Sequence, residues 1–156
     1  MSSLTSGLFL DYNIEQLHSL IRSKDINHRE IVEECISKSK KIDPKYHIWS
    51  FFDEEEFIKQ VSDKFLLTNS AYDMSGIPVA IKDIFNTKIL PTQMGSPIWK
   101  NFIAGNDARV IHNLKEAGAI IPGKTVTAEF AVHKLNETLN PHDITITPGT
   151  SSSGSA

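Results

Sequence analysis

The sequence predicts an α/β fold in which N-terminal helices pack on a partial, mostly parallel or mixed sheet. Three observations carry this. Helical periodicity with repeated capping signals fills the first third, and at Gly76 the pattern gives way to a short apolar run rich in β-branched residues. A helix and a second apolar run follow. Strand, crossover helix, strand is the unit of a parallel sheet. The expected organisation is a helical layer over residues 1–75 and the start of an α/β core over residues 76–156.

Three helix starts are written in local chemistry. Asn13 with Gln16, Asn27 with Glu30 and Asp53 with Glu56 each place a capping side chain three residues before a Glu or Gln. Each has an apolar staple across it: Tyr12 to Leu17, Ile26 to Ile31 and Phe52 to Phe57. Behind the second cap, Ile31, Val32, Cys35, Ile36 and Ile42 keep helical spacing until Asp43-Pro44, where the helix is expected to stop. Behind the third, Phe57, Ile58, Val61 and Phe65 do the same. The first third therefore reads as helical, a layer covering something else, with Trp49, Phe51 and Phe52 as core side chains.

After Gly76, "IPVAIK" reads as a strand buried on both faces, although so short a run also fits a buried helix segment. A loop rich in Asn, Thr, Pro, Gly and Ser follows. Asp107 is the expected cap of a helix that buries Val110, Ile111, Leu114 and Ala117, and Gly118 lies where a left-handed C-terminal cap belongs. The segment "GAIIPGKT" matches the phosphate-loop pattern G-x-x-x-x-G-K-[ST]. Its context is wrong for that function, because the first glycine ends a helix and the variable positions are an apolar strand. It is read as a cap, a strand over Ala119–Ile121 and a turn carrying Lys124, with no nucleotide site. Past Thr125, "TAEFAVHKL" reads as a short helical piece, and the chain closes in turn-formers and hydroxyls, where "SGSA" looks able to open a helix.

Composition bounds the function. The chain has 156 residues, 40% hydrophobic and 22% charged, which suits one globular domain and excludes fibrous or disordered classes. The net charge of -3 with interspersed signs offers no nucleic-acid footprint, and "SKSKK" at 37–41 reads as a solvated helix face. No run suits a signal peptide or membrane span, and the lone Cys35 reads as a small buried hydrophobe, so a cytoplasmic protein is expected. His28 and His142 show no metal-ligand spacing with each other or with a cysteine, so no metal and no cofactor are expected.

Two features could carry chemistry. On a strand, Lys82 shares a face with Ala80 while Val79 and Ile81 share the other, so its ammonium leaves a largely apolar surface. Burial favours the neutral amine, which could then serve as a base near neutral pH; the plainer reading is a strand-end lysine reaching water or Asp83. The run Ser151, Ser152, Ser153 and Ser155, between Gly149 and Gly154, offers hydroxyls and backbone N–H groups that could converge on an anion, with Ser152 and Ser153 as candidate substrate contacts. The plainer reading is a flexible linker. His133 could line a pocket, but reads more simply as a surface residue.

The ordered series "GIPVAIKD", "DARVIHNLKEAGAIIPGKTVTAEFA", "NPHD" and "TPGTSSSGSA" resembles the amidase signature family from about Gly76 to the last residue, and more weakly through the N-terminal helices. The resemblance implies amide C–N cleavage by a Ser-Ser-Lys triad on an α/β fold, without a cofactor. The family's lysine falls on Lys82 and its bridging serine, which follows a cis peptide, on Ser151. Thr150 replaces the second glycine of the usual "PGGSS", and a β-branched residue disfavours the positive φ that glycine allows. The family's nucleophile and oxyanion backbone lie in a later glycine-serine segment, past Ala156, so the isolated chain is expected to be inactive. The expected substrate is a small amide, and a complementary C-terminal chain or a second copy is the protein partner that this reading admits. "GKTVTAEFA" and "SSSGSA" look closer to general amidases; the A subunit of a transfer-RNA-dependent glutamine amidotransferase is the first alternative, and a non-catalytic remnant or half of a split enzyme the second.

Overall fold

A computed structural model of the chain describes residues 11–62, 74–132 and 134–156. Phe65 and His133, singled out above, lie outside the described residues. The elements run α1 (Ile14–Ser23), α2 (His28–Tyr46), β1 (Trp49–Phe52), α3 (Glu54–Ser62), β2 (Ile81–Lys82), α4 (Arg109–Glu116) and β3 (Gly123–Thr125).

The caps of α1 and α2 form as the sequence predicts. Asn13 and Asn27 each accept the backbone N–H of the residue three on, and Gln16 and Glu30 reach back to the cap N–H. At α3 the box is half made: Asp53 accepts from Glu56, while the Asp53 N–H turns to the Pro122 carbonyl at 3.5 Å. That switch ties the start of α3 to the segment entering β3. Ile26 and Ile31 share one apolar cluster, and the Phe52 and Phe57 rings meet edge to face at 6.2 Å.

Pro44 does not stop α2. The helix continues to Tyr46, because Pro44 costs one N–H near the end while the Asp43 carbonyl still accepts His47 N–H at 2.8 Å. The stop comes from His47 in the left-handed conformation, and the Asp43 carboxylate then accepts the N–H groups of Ile48 and Trp49. That turn aims the next residues into a strand. The first third is therefore not helical throughout: Trp49–Phe52 is β1, half-buried, and pairs antiparallel with β3.

Among the described residues the sheet has three strands in the order β1-β3-β2, with β2 parallel to β3 and β1 antiparallel to it, and is therefore mixed. Regular pairing sits later in each apolar run than the sequence suggests. Only Ile81–Lys82 of "IPVAIK" forms a ladder, preceded by an isolated bridge between Pro78 and Ile120. Gly123–Thr125, expected as a turn, is the central strand, and Lys124 within it is fully buried. Gly123 lies at a close approach, since a Cβ there would stand 2.3 Å from the Phe51 carbonyl oxygen. The phosphate-loop letters thus span a helix end and a central strand, opening no helix.

Gly118 (φ 92) closes α4 as expected, with its N–H on Lys115 O and the Ala119 N–H on Leu114 O. The cap at the other end is Ala108, not Asp107. Asp107 is drawn aside by the Lys115 ammonium at 2.9 Å and the Lys88 N–H at 2.8 Å. Burial pushes its carboxyl up, but these partners outweigh that and hold it below the usual carboxylate range. Of the predicted inward residues Ile111 is buried and Leu114 packs beside it, whereas Val110 is exposed.

Helices cover both sides of the sheet. Val32, Ile36, Phe57 and Ile120 join α2 and α3 to one side, while Ile81, Leu90, Ile111 and Ile121 join α4 to the other. Burying each such side chain contributes roughly 1.5–3 kcal/mol. Cys35 is half-buried and unpaired, and burial, aided by the Glu34 charge, pushes its thiol up to about 11, away from reactivity. Among the described residues no helix is long and apolar enough to cross a membrane.

Candidate active site

The parallel register pairs Ile81 with Lys124 and Lys82 with Thr125. Successive strand residues face opposite sides, so Lys82 and Thr125 share one face of the sheet and Ile81 and Lys124 the other. Thr127, two residues beyond Thr125, continues the first face. On that face the serine loop is anchored. Thr125 Oγ1 and Ser155 Oγ lie 2.7 Å apart, Thr127 Oγ1 donates to the Ser151 carbonyl at 2.7 Å, and the Ala128 N–H reaches the same carbonyl at 3.3 Å. Gly154 N–H adds a bond to Val126 O.

This anchoring brings together two residues 69 positions apart: Lys82 Nζ donates a hydrogen bond to Ser151 Oγ. Both are half-buried. The loop turns sharply here through left-handed backbone at Gly149 (φ 96) and Ser151 (φ 72), on either side of Thr150. Thr150 itself is spared positive φ, so its β-branch causes no conflict. No cis peptide occurs among the described residues, and the bond before Ser151 is trans where the resemblance implied cis. The left-handed serine makes the turn instead, a sparsely populated conformation for a residue with a Cβ, held by the bonds on its carbonyl and on Gly154 and Ser155.

The neighbouring serines have other partners where their bonds are defined. Ser153 is buried and bonds the Asn136 side chain at 2.9 Å, while the Ser152 carbonyl accepts the N–H groups of Ser155 and Ala156 in a single 3-10 turn, Ser153–Ser155, where a helix start was expected. "TAEFAVHKL" likewise yields one 3-10 turn, Glu129–Ala131, with Phe130 and Ala131 left-handed. That turn is clasped to the loop after β2: Phe130 N–H bonds Met94 O at 2.8 Å and Ser96 Oγ bonds Glu129 at 2.8 Å.

Sequence reasoning missed the support. On the opposite face, Lys124 makes an ion pair with Asp83 Oδ1 at 3.2 Å, both side chains being wholly buried. It also bonds Phe85 O at 2.9 Å, Pro91 O at 3.2 Å and Thr92 Oγ1 at 2.9 Å. Burial pushes the Lys124 amine below its ordinary range, with Asp83 opposing. Burial likewise pushes the Asp83 carboxyl up, opposed by the Gln93 N–H and by Lys124. A usable signal lies in "KTVT": alternation puts Thr125 and Thr127 on one face and Lys124 on the other, and the register then matches the first face to Lys82. Among the described residues no group of His, Cys, Asp or Glu is arranged to hold a metal ion.

A family model described as Amidase matches residues 30–156. The chain belongs to the amidase family. Its sequence is 38% identical over 151 residues to the A subunit of a glutamyl-tRNA(Gln) amidotransferase from Coxiella burnetii, a match that covers 92% of this chain and 31% of that relative. The chain thus spans about a third of the length of the curated relatives it matches. In fold it resembles an amidase family protein from Bacillus anthracis, with a TM-score of 0.82 at 24% identity over 94% of this chain and 32% of that one. It also resembles the A subunit of the glutamyl-tRNA(Gln) amidotransferase from Thermotoga maritima, with a TM-score of 0.65 at 28% identity over 82% of this chain and 27% of that one. The expected lean toward general amidases is not what these relatives favour: the curated ones carry the amidotransferase name.

Proposed function

We propose that this chain supplies the base and the bridging serine of an amide-cleaving site. The observation that carries the reading is the hydrogen bond between Lys82 Nζ and Ser151 Oγ across 69 positions. With its amine neutral, Lys82 accepts the Ser151 hydroxyl proton while Ser151 Oγ takes the proton of the attacking hydroxyl, which closes on the amide carbon. When the tetrahedral adduct collapses and the C–N bond breaks, the proton returns through Ser151 to the leaving nitrogen. The attacking hydroxyl and oxyanion donors come from a further segment, following the family resemblance. Each such group is worth orders of magnitude in rate, so the relay is expected to turn over an amide only together with them.

Within that chemistry, the curated relatives favour an ammonia-generating role in a glutamyl-tRNA(Gln) amidotransferase over a free-standing amidase. Glutamine is then the amide hydrolysed, and a partner subunit consumes the ammonia. The test joins this chain to the remaining segment of such a relative and assays ammonia release. Glutamine turnover that needs a partner subunit supports the transferase reading; equal turnover of simple amides without a partner favours the general amidase. No turnover of any amide, in a folded and complete protein, contradicts amide cleavage altogether.

A further inference from the structure

The lysine of the phosphate-loop pattern has a use that the proposed relay does not account for. β2 is only two residues long, Ile81–Lys82, and among the described residues it pairs with β3 alone. A strand so short fixes its register poorly through backbone bonds alone. A slip of one residue exchanges its faces, turning Lys82 away from Ser151 and into the α4 side. Apolar contacts such as Ile81 with Leu90 and Ile111 are non-directional and resist such a slip weakly.

We infer that the buried Asp83–Lys124 ion pair is the register lock that aims Lys82 at Ser151, which makes Lys124 and Asp83 positioning residues of the site. Asp83 is attached to β3 twice. Its N–H donates to Thr125 O at 3.0 Å, extending the ladder one step past Lys82, and its carboxylate meets Lys124 on the far face at 3.2 Å. The following loop is gathered on the same ammonium through Phe85 O, Pro91 O and Thr92 Oγ1, and returns to Asp83 through the Gln93 N–H on its carboxylate and the Met94 N–H on its carbonyl. A slipped strand would carry Asp83 off that face and leave Lys124 as a buried cation without its counter-charge, which the interior does not tolerate. The pair therefore selects one register. Its consequence for catalysis rests on the proposed role of Lys82, but the lock itself is independent of turnover.

Backbone hydrogen exchange and side-chain contacts, followed by NMR in the 156-residue chain, test it. In the unsubstituted chain the Asp83 amide is expected to exchange as slowly as that of Val32 in the α2 core. Exchange a hundredfold faster than Val32 overturns the lock without any variant. Asp83→Asn removes the counter-charge but leaves Lys124 three oxygen acceptors, and retention of the fold is checked first from the Val32 amide. The residue 83 amide is then expected to exchange at least tenfold faster and the Lys82–Ser151 contact to disappear, with Val32 unchanged. Should that variant not fold, Lys124→Met/Asp83→Leu, which leaves no buried charge, is read in the same way. A folded variant that keeps both the residue 83 protection and the Lys82–Ser151 contact contradicts the proposal. Failure of the amide-cleavage reading shows separately, as undiminished turnover after Lys82→Ala in the completed enzyme.

Discussion

The two faces of the sheet use lysine in opposite ways. On one, Lys82 is half-buried and bonds a serine hydroxyl at the end of a loop that turns through left-handed backbone. On the other, one strand away, Lys124 is wholly buried and bonds a carboxylate, two carbonyls and a hydroxyl. The first arrangement leaves the amine half-buried with one side-chain partner; the second commits every N–H to fixed oxygens. On the proposed reading, the rigid polar cluster belongs to the support and the lightly held group to the chemistry.

The same substitution at the two positions should therefore separate them. Lys124→Met strands Asp83 as a buried charge, and urea unfolding is expected to show a loss of about 3–5 kcal/mol, comparable with the whole stability of a small domain. A loss under about 1 kcal/mol would erase the contrast. Thr127→Val removes the hydroxyl that holds the Ser151 carbonyl and is expected to cost about 1–2 kcal/mol, with the change in chemical shift concentrated at residues 149–155. A uniform change across the chain would move Thr127 from the site to the general core. Asn27→Ala, far from either lysine, should cost about 1 kcal/mol through the α2 cap alone and leave the Lys82–Ser151 contact intact. Lys82→Met should change stability least, within about 0.5 kcal/mol, since a half-buried lysine stem is replaced by one of similar shape.

The helix ends are legible in the amino-acid sequence, and the parts of the fold and site that are not share a cause. Caps at Asn13 and Asn27 and the left-handed Gly118 are local chemistry, set by residues within one turn, and they form as written. β1 is hidden because "WSFF" carries no signal of its own; its partner, β3, lies some seventy residues on. Lys124 reads as a turn lysine because Pro122-Gly123 looks like a turn, whereas Gly123 serves to let β3 approach the Phe51 backbone. Asp107 reads as a cap because nothing nearby in sequence reveals Lys88, whose N–H claims it. The meeting of Lys82 with Ser151 is legible only through the family resemblance, since composition gives each residue a plainer alternative. In each case the deciding partner is distant in the chain.

The most direct test of the account is a double-substitution cycle on Lys82 and Ser151 in the enzyme completed with the relatives' remaining segment, read as the rate of ammonia release. Groups that act as one relay lose their effect together. Lys82→Ala and Ser151→Ala are each expected to lower kcat by about a thousandfold or more, and the double substitution to lower it no further than the worse of the two. Losses that multiply, or turnover that survives Lys82→Ala, would contradict the relay.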